Sequence, residues 1–347
     1  MDTNNPSKAF GRIFAPREDW LAQAEPENIL EPELAIIDTH HHLWDAPGRY
    51  LLEDYLADAG TGHNVVATVA IECGSYYRTE GPVEFRPVGE VEFAAEVAAR
   101  CETDSGIKTR VAAGIVGFAD LTLGDRVEDV LAALIEASGG RLRGIRHSAG
   151  WHDDPVIGNN HHGAGPGLYL RQDFRAGLAR LTAMGLALDA LVYHPQHGDL
   201  IDLARSHPDA TIIMNHTGMP LGYGSFAGRE REVQAQWRST MPEIAACSNV
   251  VMKLGGMMMR LAAFDYHTAR RPASSEQLAA CWRPYIEPCI EWFGASRCTF
   301  ESNFPVDKMG IGYAALWNAF KRIAAAASSD EKAQLFSGTA RRAYRLD

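Results

Sequence analysis

Three stretches of the chain carry side chains able to move protons or hold a cation. The first is Asp38-Thr39-His40-His41-His42-Leu43-Trp44-Asp45. Side chains alternate along a strand, so this stretch predicts Asp38, His40 and His42 on one face and Thr39 and His41 on the other. With Ile36 pointing into a core, His40 and His42 emerge together, and two imidazoles at that spacing can grip one metal ion or one substrate oxyanion. A histidine-rich strand end on the surface has the same letters, so the pair needs companions. His194 has the parity of Ala190 and Val192, His216 has that of Ile212 and Met214, and each closes an apolar run. Neutral imidazoles suit Zn²⁺ or similar metals, and a histidine near its usual pKa suits general-base work. The third stretch runs from Arg297 to Lys308. There Thr299, Glu301 and Asn303 share a face and Asp307 follows in the loop. A buried Glu301 can act as a base or metal ligand, or sit in a structural salt bridge. Glu72, Arg146, His147, Trp151, Tyr76, Tyr77, Arg78 and Lys253 are further polar or aromatic candidates, each explained as well by a structural or solvent-facing place. An Arg beside a pocket can hold a carboxylate through two parallel hydrogen bonds. His161 and His162, in a glycine-rich stretch, read as surface residues.

The elements that must position these groups alternate. Short apolar runs at 35–40, 65–72, 110–118, 143–146, 187–193, 211–215, 250–254 and 298–301 predict eight strands. Amphipathic stretches at 91–102, 126–137, 171–184, 200–206, 234–246 and 277–293 separate them, and 316–327 and 330–344 follow the last. Eight strands alternating with helices is the α/β class, a (β/α)8 TIM barrel. A doubly wound open sheet would place a glycine-rich phosphate loop after its first strand, where this chain has histidines. The long loops at 74–89, 149–170, 218–230 and 255–275 all follow strands, on the face where barrel active sites lie. Residues 1–34, rich in Pro, Glu and Asn, read as an N-terminal extension that wraps the domain or is partly mobile, and 35–347 as the barrel.

Composition narrows the function. A net charge of -11 with no long Lys/Arg run argues against a nucleic-acid partner. No apolar stretch reaches the roughly 18 residues of a membrane helix, and the N-terminus has no apolar core of a secretory signal. None of the six Cys forms a C-x-x-C pair, which predicts reduced thiols in a cytoplasmic protein. Motifs for Ser or Cys nucleophiles, G-x-S-x-G among them, are missing, as is H-E-x-x-H. A homodimer is the default assembly.

Taken together, the histidine-rich first strand, Ile145-Arg146-His147, Asn215-His216-Thr217-Gly218, the segment from Asn249 to Gly256 and Phe300-Glu301-Ser302-Asn303-Phe304-Pro305-Val306-Asp307 resemble the amidohydrolase superfamily. The likeness is to the amidohydrolase 2 branch and its lactonases for 2-pyrone-4,6-dicarboxylate and sugar lactones. It spans roughly residues 36–346. It implies a barrel with the H-x-H pair at its mouth, and hydrolysis or a related lyase reaction by activated water. Relatives read roughly Gly-Ser-Asp-Trp-Pro on strand eight, and that Asp takes the proton from water. This chain has Asn303 there, and Asn cannot serve as a carboxylate base. Strand six also departs, with Asn215 where relatives often have Asp. Glu301, two residues earlier on the same face, is the candidate replacement.

The resemblance leaves the metal open. Some relatives use none, and others hold one divalent ion, Zn²⁺ or Mn²⁺, for which His40, His42 and His194 are the expected ligands. The expected activity is opening of a cyclic ester of a small carboxylated molecule. His40 and His42 would hold the carbonyl oxygen or the metal, and His216 or Glu301 would activate water beside Asn303. Arg146, His147, Glu72, Tyr76, Arg78, Trp151 and Asp307 would surround the substrate, with Tyr77 and the methionines at 257–259 as apolar wall. A decarboxylase or hydratase of the same superfamily, and a binding protein on a decayed barrel, are the rivals.

Overall fold

The computed structural model describes residues 15–46, 48–159, 162–259, 264 and 269–346. Eight parallel strands follow one another in chain order: β1 (Ala35–His41), β2 (Asn64–Ile71), β3 (Arg110–Gly117), β4 (Leu142–Arg146), β5 (Ala187–Ala190), β6 (Ile212–Met214), β7 (Val250–Leu254) and β8 (Cys298–Phe300). The seam between β8 and β1 is held past the end of β8. There Asn303 N–H donates to His40 O and His42 N–H donates to Phe304 O, both at 2.8 Å. The fold is a (β/α)8 TIM barrel.

Helices alternate with the strands: α1 (Glu18–Leu21), α2 (Leu52–Ala59), α3 (Val88–Thr103), α4 (Val127–Ala137), α5 (Gln172–Ala183), α6 (His197–Ser206), α7 (Glu230–Ala245), α8 (Ser275–Phe293), α9 (Tyr313–Ile323), α10 (Ser329–Ala333) and α11 (Thr339–Ala343). The entry to α8 is fixed by a capping box, Ser274 Oγ accepting from Gln277 N while Gln277 Oε1 accepts from Ser274 N. The sequence pattern did not predict α2, whose Tyr55 is fully buried. Strands β5 and β6 are shorter than predicted, because the chain leaves β5 before His194-Pro195 and turns sharply at His216.

Two apolar layers result. Ile36, Leu188, Ala190, Ile212 and Met214 pack outward with the helices. Ile37, Val69, Ala187 and Ile213 pack inward, together with Ala340, Tyr344 and Leu346 from the end of the chain. The C-terminal segment thus closes the floor of the barrel. Residues 15–34 run along the outside, where Trp20 Nε1 donates to Ala269 O and Lys321 Nζ donates to Leu30 O and Glu31 O. The six cysteines are free, and among the described residues no helix is long and apolar enough to cross a membrane.

Candidate active site

The strand parity expected for β1 fails, and the failure builds the site. The β1–β2 register shifts between Ile36 and Ile37 and breaks again between Asp38 and His41. Asp38 therefore does not share a face with His40 and His42. It lies on the helix side, accepting from Tyr55 OH, Tyr313 OH and Ser302 Oγ at 2.9, 3.1 and 2.6 Å. His41 lies on that side too, bonded to Thr68 Oγ1 at 2.8 Å and against the Tyr55 ring. Ile36 points outward and Ile37 inward, the reverse of the expected phase, yet His40 and His42 still turn inward. A local irregularity of this kind re-aims side chains without disturbing the rest of the ladder.

Inside the barrel, Glu301 is the hub. Its Oε1 accepts from His216 N at 3.0 Å and from His216 Nδ1 at 2.8 Å, and its Oε2 lies 2.8 Å from His40 Nδ1. Because a carboxylate only accepts, it fixes the proton of His216 on Nδ1 and leaves the Nε2 lone pair without a partner among the described residues. Burial pushes the Glu301 carboxyl up, but His216 and the Lys253 ammonium overcome it and hold the group below the usual range. Burial first, then the charges of Lys253 and Arg146, push His40 well below the usual imidazole range, so it is neutral. His42 donates from Nδ1 to Ile71 O at 2.8 Å, which leaves its Nε2 lone pair facing His40 Nε2 at 3.2 Å.

His216 reaches the hub through its backbone. His216, Thr217 and Met219 all have φ near +50°, the left-handed region that non-glycine residues seldom adopt. Gly255 and Gly256 make the space. A Cβ on Gly255 would sit 2.4 Å from Glu301 Cγ, and one on Gly256 would sit 2.3 Å from His216 Nδ1.

Two cations flank the histidines. Arg146 donates through Nε to Glu72 Oε1 at 2.6 Å and through NH2 to Glu72 O, and its NH1 lies 3.2 Å from His40 Nε2. Lys253, fully buried, donates to Asp189 Oδ1 at 2.7 Å with its Nζ 3.4 Å from His40 Nδ1. His162 is not a surface group: it donates to Glu72 Oε2 at 2.9 Å and stacks on Phe118 at 3.6 Å. His161 lies outside the described residues.

Other expected residues lie elsewhere. His194 does not join His40 and His42. β5 ends at Ala190, and the His194 ring packs beside Phe226 while its Nδ1 accepts from Leu221 N. His147 turns into the helix layer, accepting from Leu121 N and lying against Phe118 and Phe174, where burial lowers it to about 4. Arg78 pairs with Glu92 at the surface, and Tyr76 stacks on Phe93 and donates to Asp45. Trp151 is held by its backbone N–H on Gln196 Oε1. Asn303 turns its side chain to Asp307, donating to Oδ1 at 2.9 Å, with φ +55°. Burial raises Asp307 to about 8. Asp189, the partner of Lys253, was not read from the sequence. It falls between Leu188 and Ala190 in an apolar run whose inward parity was taken to be that of Ala190.

The amidohydrolase family model matches residues 37–346. This chain belongs to the amidohydrolase family. A Sinorhizobium fredii relative, "Uncharacterized protein y4mH", is 33% identical over 338 residues, covering 90% of this chain and 99% of its own. The L-fucono-1,5-lactonase of Burkholderia multivorans is 27% identical over 321 residues, covering 89% and 96%. A crystal structure of a Burkholderia multivorans amidohydrolase with bound zinc superposes with a TM-score of 0.68 at 25% identity, covering 90% of this chain and all of the other. This amidohydrolase is accordingly a hydrolase.

The amidohydrolase carries a donor set suited to a divalent ion. His40, His216 and Glu301 each offer one ligand atom, mutually within 4.8 Å and all buried. The facing lone pairs of His40 and His42 call for a positive charge between them, which Arg146 NH1 supplies in part. Two imidazoles and a carboxylate fit Zn²⁺ or a similar ion, with His216 and Glu301 in the places expected for His42 and His194.

Proposed function

We propose that this amidohydrolase opens the ring of a small, uncharged lactone of the sugar-acid type by attack of water. The observation that carries the reading is the Glu301–His216 pair. A buried carboxylate orients an imidazole whose outer nitrogen makes no hydrogen bond among the described residues. Among those residues neither the His40 ring nor the His216 ring bonds to a hydroxyl or thiol side chain, which favours water over a protein nucleophile. The named function of the Burkholderia multivorans relative, an L-fucono-1,5-lactonase, supports the substrate class.

In this reading His216 Nε2 takes a proton from water as the oxygen bonds to the lactone carbonyl carbon. Arg146 NH1 steadies the oxygen that gains charge. The ring C–O bond then breaks, His216 returns the proton to the leaving alkoxide, and the new carboxylic acid ionises, so one proton reaches solvent per ring opened. A divalent ion, were one bound, would be held by His40, His216 and Glu301 and would supply Lewis-acid polarisation of a carbonyl, in place of the proton transfer through the His216 ring. An uncharged substrate is read in place of the carboxylated one expected from sequence, because Lys253 is engaged by Asp189, Arg78 by Glu92, and Arg146, paired with Glu72 through Nε and NH2, keeps only NH1 for the carbonyl oxygen.

The test is proton release from a panel of five- and six-membered aldonolactones, L-fucono-1,5-lactone included, in a weakly buffered indicator assay. We expect one proton per lactone and loss of turnover by about a thousandfold or more in Glu301→Gln. Activity retained in Glu301→Gln, CO₂ release from an aromatic acid in place of ring opening, or ligand binding without consumption would each overturn the reading.

A further inference from the structure

Beneath His40 the barrel holds a second polar layer that the reaction above does not use. The Asp189 carboxylate accepts from Lys253 Nζ at 2.7 Å and from Asn215 Nδ2 at 2.9 Å. It also accepts from Tyr344 OH, which lies 3.0 and 2.9 Å from its two oxygens. Lys253, Asp189 and Tyr344 are all fully buried, and the Lys253 ammonium sits 5.2 Å above the Tyr344 ring centroid. Tyr344 comes from the end of the chain, three residues before the C-terminus, on a segment packed against Ile37, Ala187 and Ile213 at the barrel floor. The layer touches the site at two points. Lys253 Nζ lies 3.4 Å from His40 Nδ1, and Asn215 is the residue before His216.

Four buried polar groups in an apolar floor carry a desolvation penalty that a packed hydrophobic floor would avoid. Apolar side chains filling the same volume would close the barrel equally well. What they could not do is hold an ammonium under His40 and, through Asn215, the chain entering His216.

We propose that Tyr344 is a positioning residue for this site: through Asp189 it fixes Lys253 beneath His40 and Asn215 beside His216, so that the end of the chain sets the geometry of the reacting histidines. The phenol stays protonated, since burial and Asp189 push its ionisation well above the usual range, and it therefore donates throughout. The kinetic part of this inference rests on the lactonase reading, and the spectroscopic part does not.

The experiment uses the full chain and two variants, Tyr344→Phe and Tyr169→Phe. Tyr344→Phe removes one hydroxyl and keeps the ring under Lys253. Tyr169 is equally buried and donates to a single backbone carbonyl, His147 O, with no hydrogen bond to Asp189, Lys253 or Asn215, so Tyr169→Phe measures the cost of deleting a buried hydroxyl that does not hold the layer. We expect Tyr344→Phe to lower kcat by about 10- to 100-fold, as supporting-shell changes do, with KM within about twofold. In protein labelled with ¹⁵N-histidine, the ring nitrogens of His40, assigned with His40→Asn, shift in Tyr344→Phe, while those of His197, bonded to Thr240 and Gly218 away from the layer, do not. Tyr169→Phe leaves both kcat and the His40 signals unchanged. An unchanged kcat in Tyr344→Phe, or a fall matched by Tyr169→Phe with His40 unmoved, overturns the proposal. If the wild-type chain opens no lactone, the lactonase reading falls on its own, and the His40 shift still decides the role of Tyr344: no shift, no positioning.

Discussion

Gly256→Ala tests the site with the least chemical change. The added Cβ would lie 2.3 Å from His216 Nδ1, 2.5 Å from its Cγ and 2.6 Å from its Cβ, at a backbone φ of +63°. Ordinary contact begins near 3.4 Å, so the imidazole must retreat by 3.4 − 2.3, or about 1.1 Å. The Nδ1–Glu301 Oε1 bond is 2.8 Å long, and a retreat of that size along it removes the bond. Left-handed backbone costs a non-glycine residue about 1–2 kcal/mol, and overpacking a buried site adds about 1–3 kcal/mol. The variant should therefore be about 2–5 kcal/mol less stable, and kcat should drop by about a hundredfold, the usual penalty of a misplacement near 1 Å. Gly140→Ala supplies the reference. It has φ +82° and nothing within 4 Å of an added Cβ, so it should lose only the backbone share of stability and no activity. Calorimetry and initial rates on the two variants separate the terms. A Gly256→Ala enzyme with kcat within about threefold of wild type would show that His216 does not need its place on Glu301, and the proposed base would be wrong.

The remaining predictions concern charge. Asp307 is raised from 3.8 to about 8 in the folded chain, so folding takes up a proton between those values and the contribution of this group to stability, complete below about pH 4, is lost as pH rises toward 8. Asp307→Asn should accordingly gain in melting temperature relative to wild type at pH 8 compared with pH 5, and an equal difference at both would contradict the shift. Chelator-treated protein should gain thermal stability when Zn²⁺ is returned, as any ligand of the native state confers; His216→Ala should lose that gain and His194→Ala should keep it, with metal content read by elemental mass spectrometry. Arg146→Met leaves Glu72 buried without its main partner and should destabilise the fold by about 3–5 kcal/mol in denaturant titration, whereas Arg78→Ala, at an exposed pair, should change stability by less than about 1 kcal/mol and leave KM alone.

How the site arises explains what the sequence could tell. Barrel architecture follows from a period of apolar runs and amphipathic stretches, which many residues vote on together, so all eight strands were legible, whereas the short helices α1 and α2 were not. Side-chain direction depends on single residues. Alternation placed Glu301 in the barrel interior, but it put Asp38 inside, where a register break at β1 sends it to Tyr55 and Tyr313. It extended β5 far enough to carry His194 to the mouth, although the strand stops at Ala190. It also gave His216 the right destination by the wrong route. Ile212 and Met214 face outward, and the ring arrives only because the chain turns through left-handed conformations over a glycine pair on the next strand.

These departures from regular strand geometry coincide with the polar centre, and physical reasons connect them. Regular alternation spreads inward side chains evenly around a barrel and leaves each about one strand spacing from the next. A carboxylate that must touch two imidazoles at hydrogen-bond distance needs them closer than that. The register break at β1, the turn at His216 and the space at Gly255 and Gly256 each shorten one of those gaps, and each costs something in ladder bonds or backbone strain. The Asp189–Lys253–Tyr344 layer is the counterpart on the favourable side. It charges and braces the underside of the same cluster, so the strain above is held in place by the bonds that converge on Asp189. On this argument Tyr344→Phe and Gly256→Ala act on one geometry from opposite sides, and their combination should be less than additive in kcat, since a histidine already displaced from Glu301 gains little from a firm floor beneath it. Additive losses would mean that the floor and the glycine pair serve separate ends.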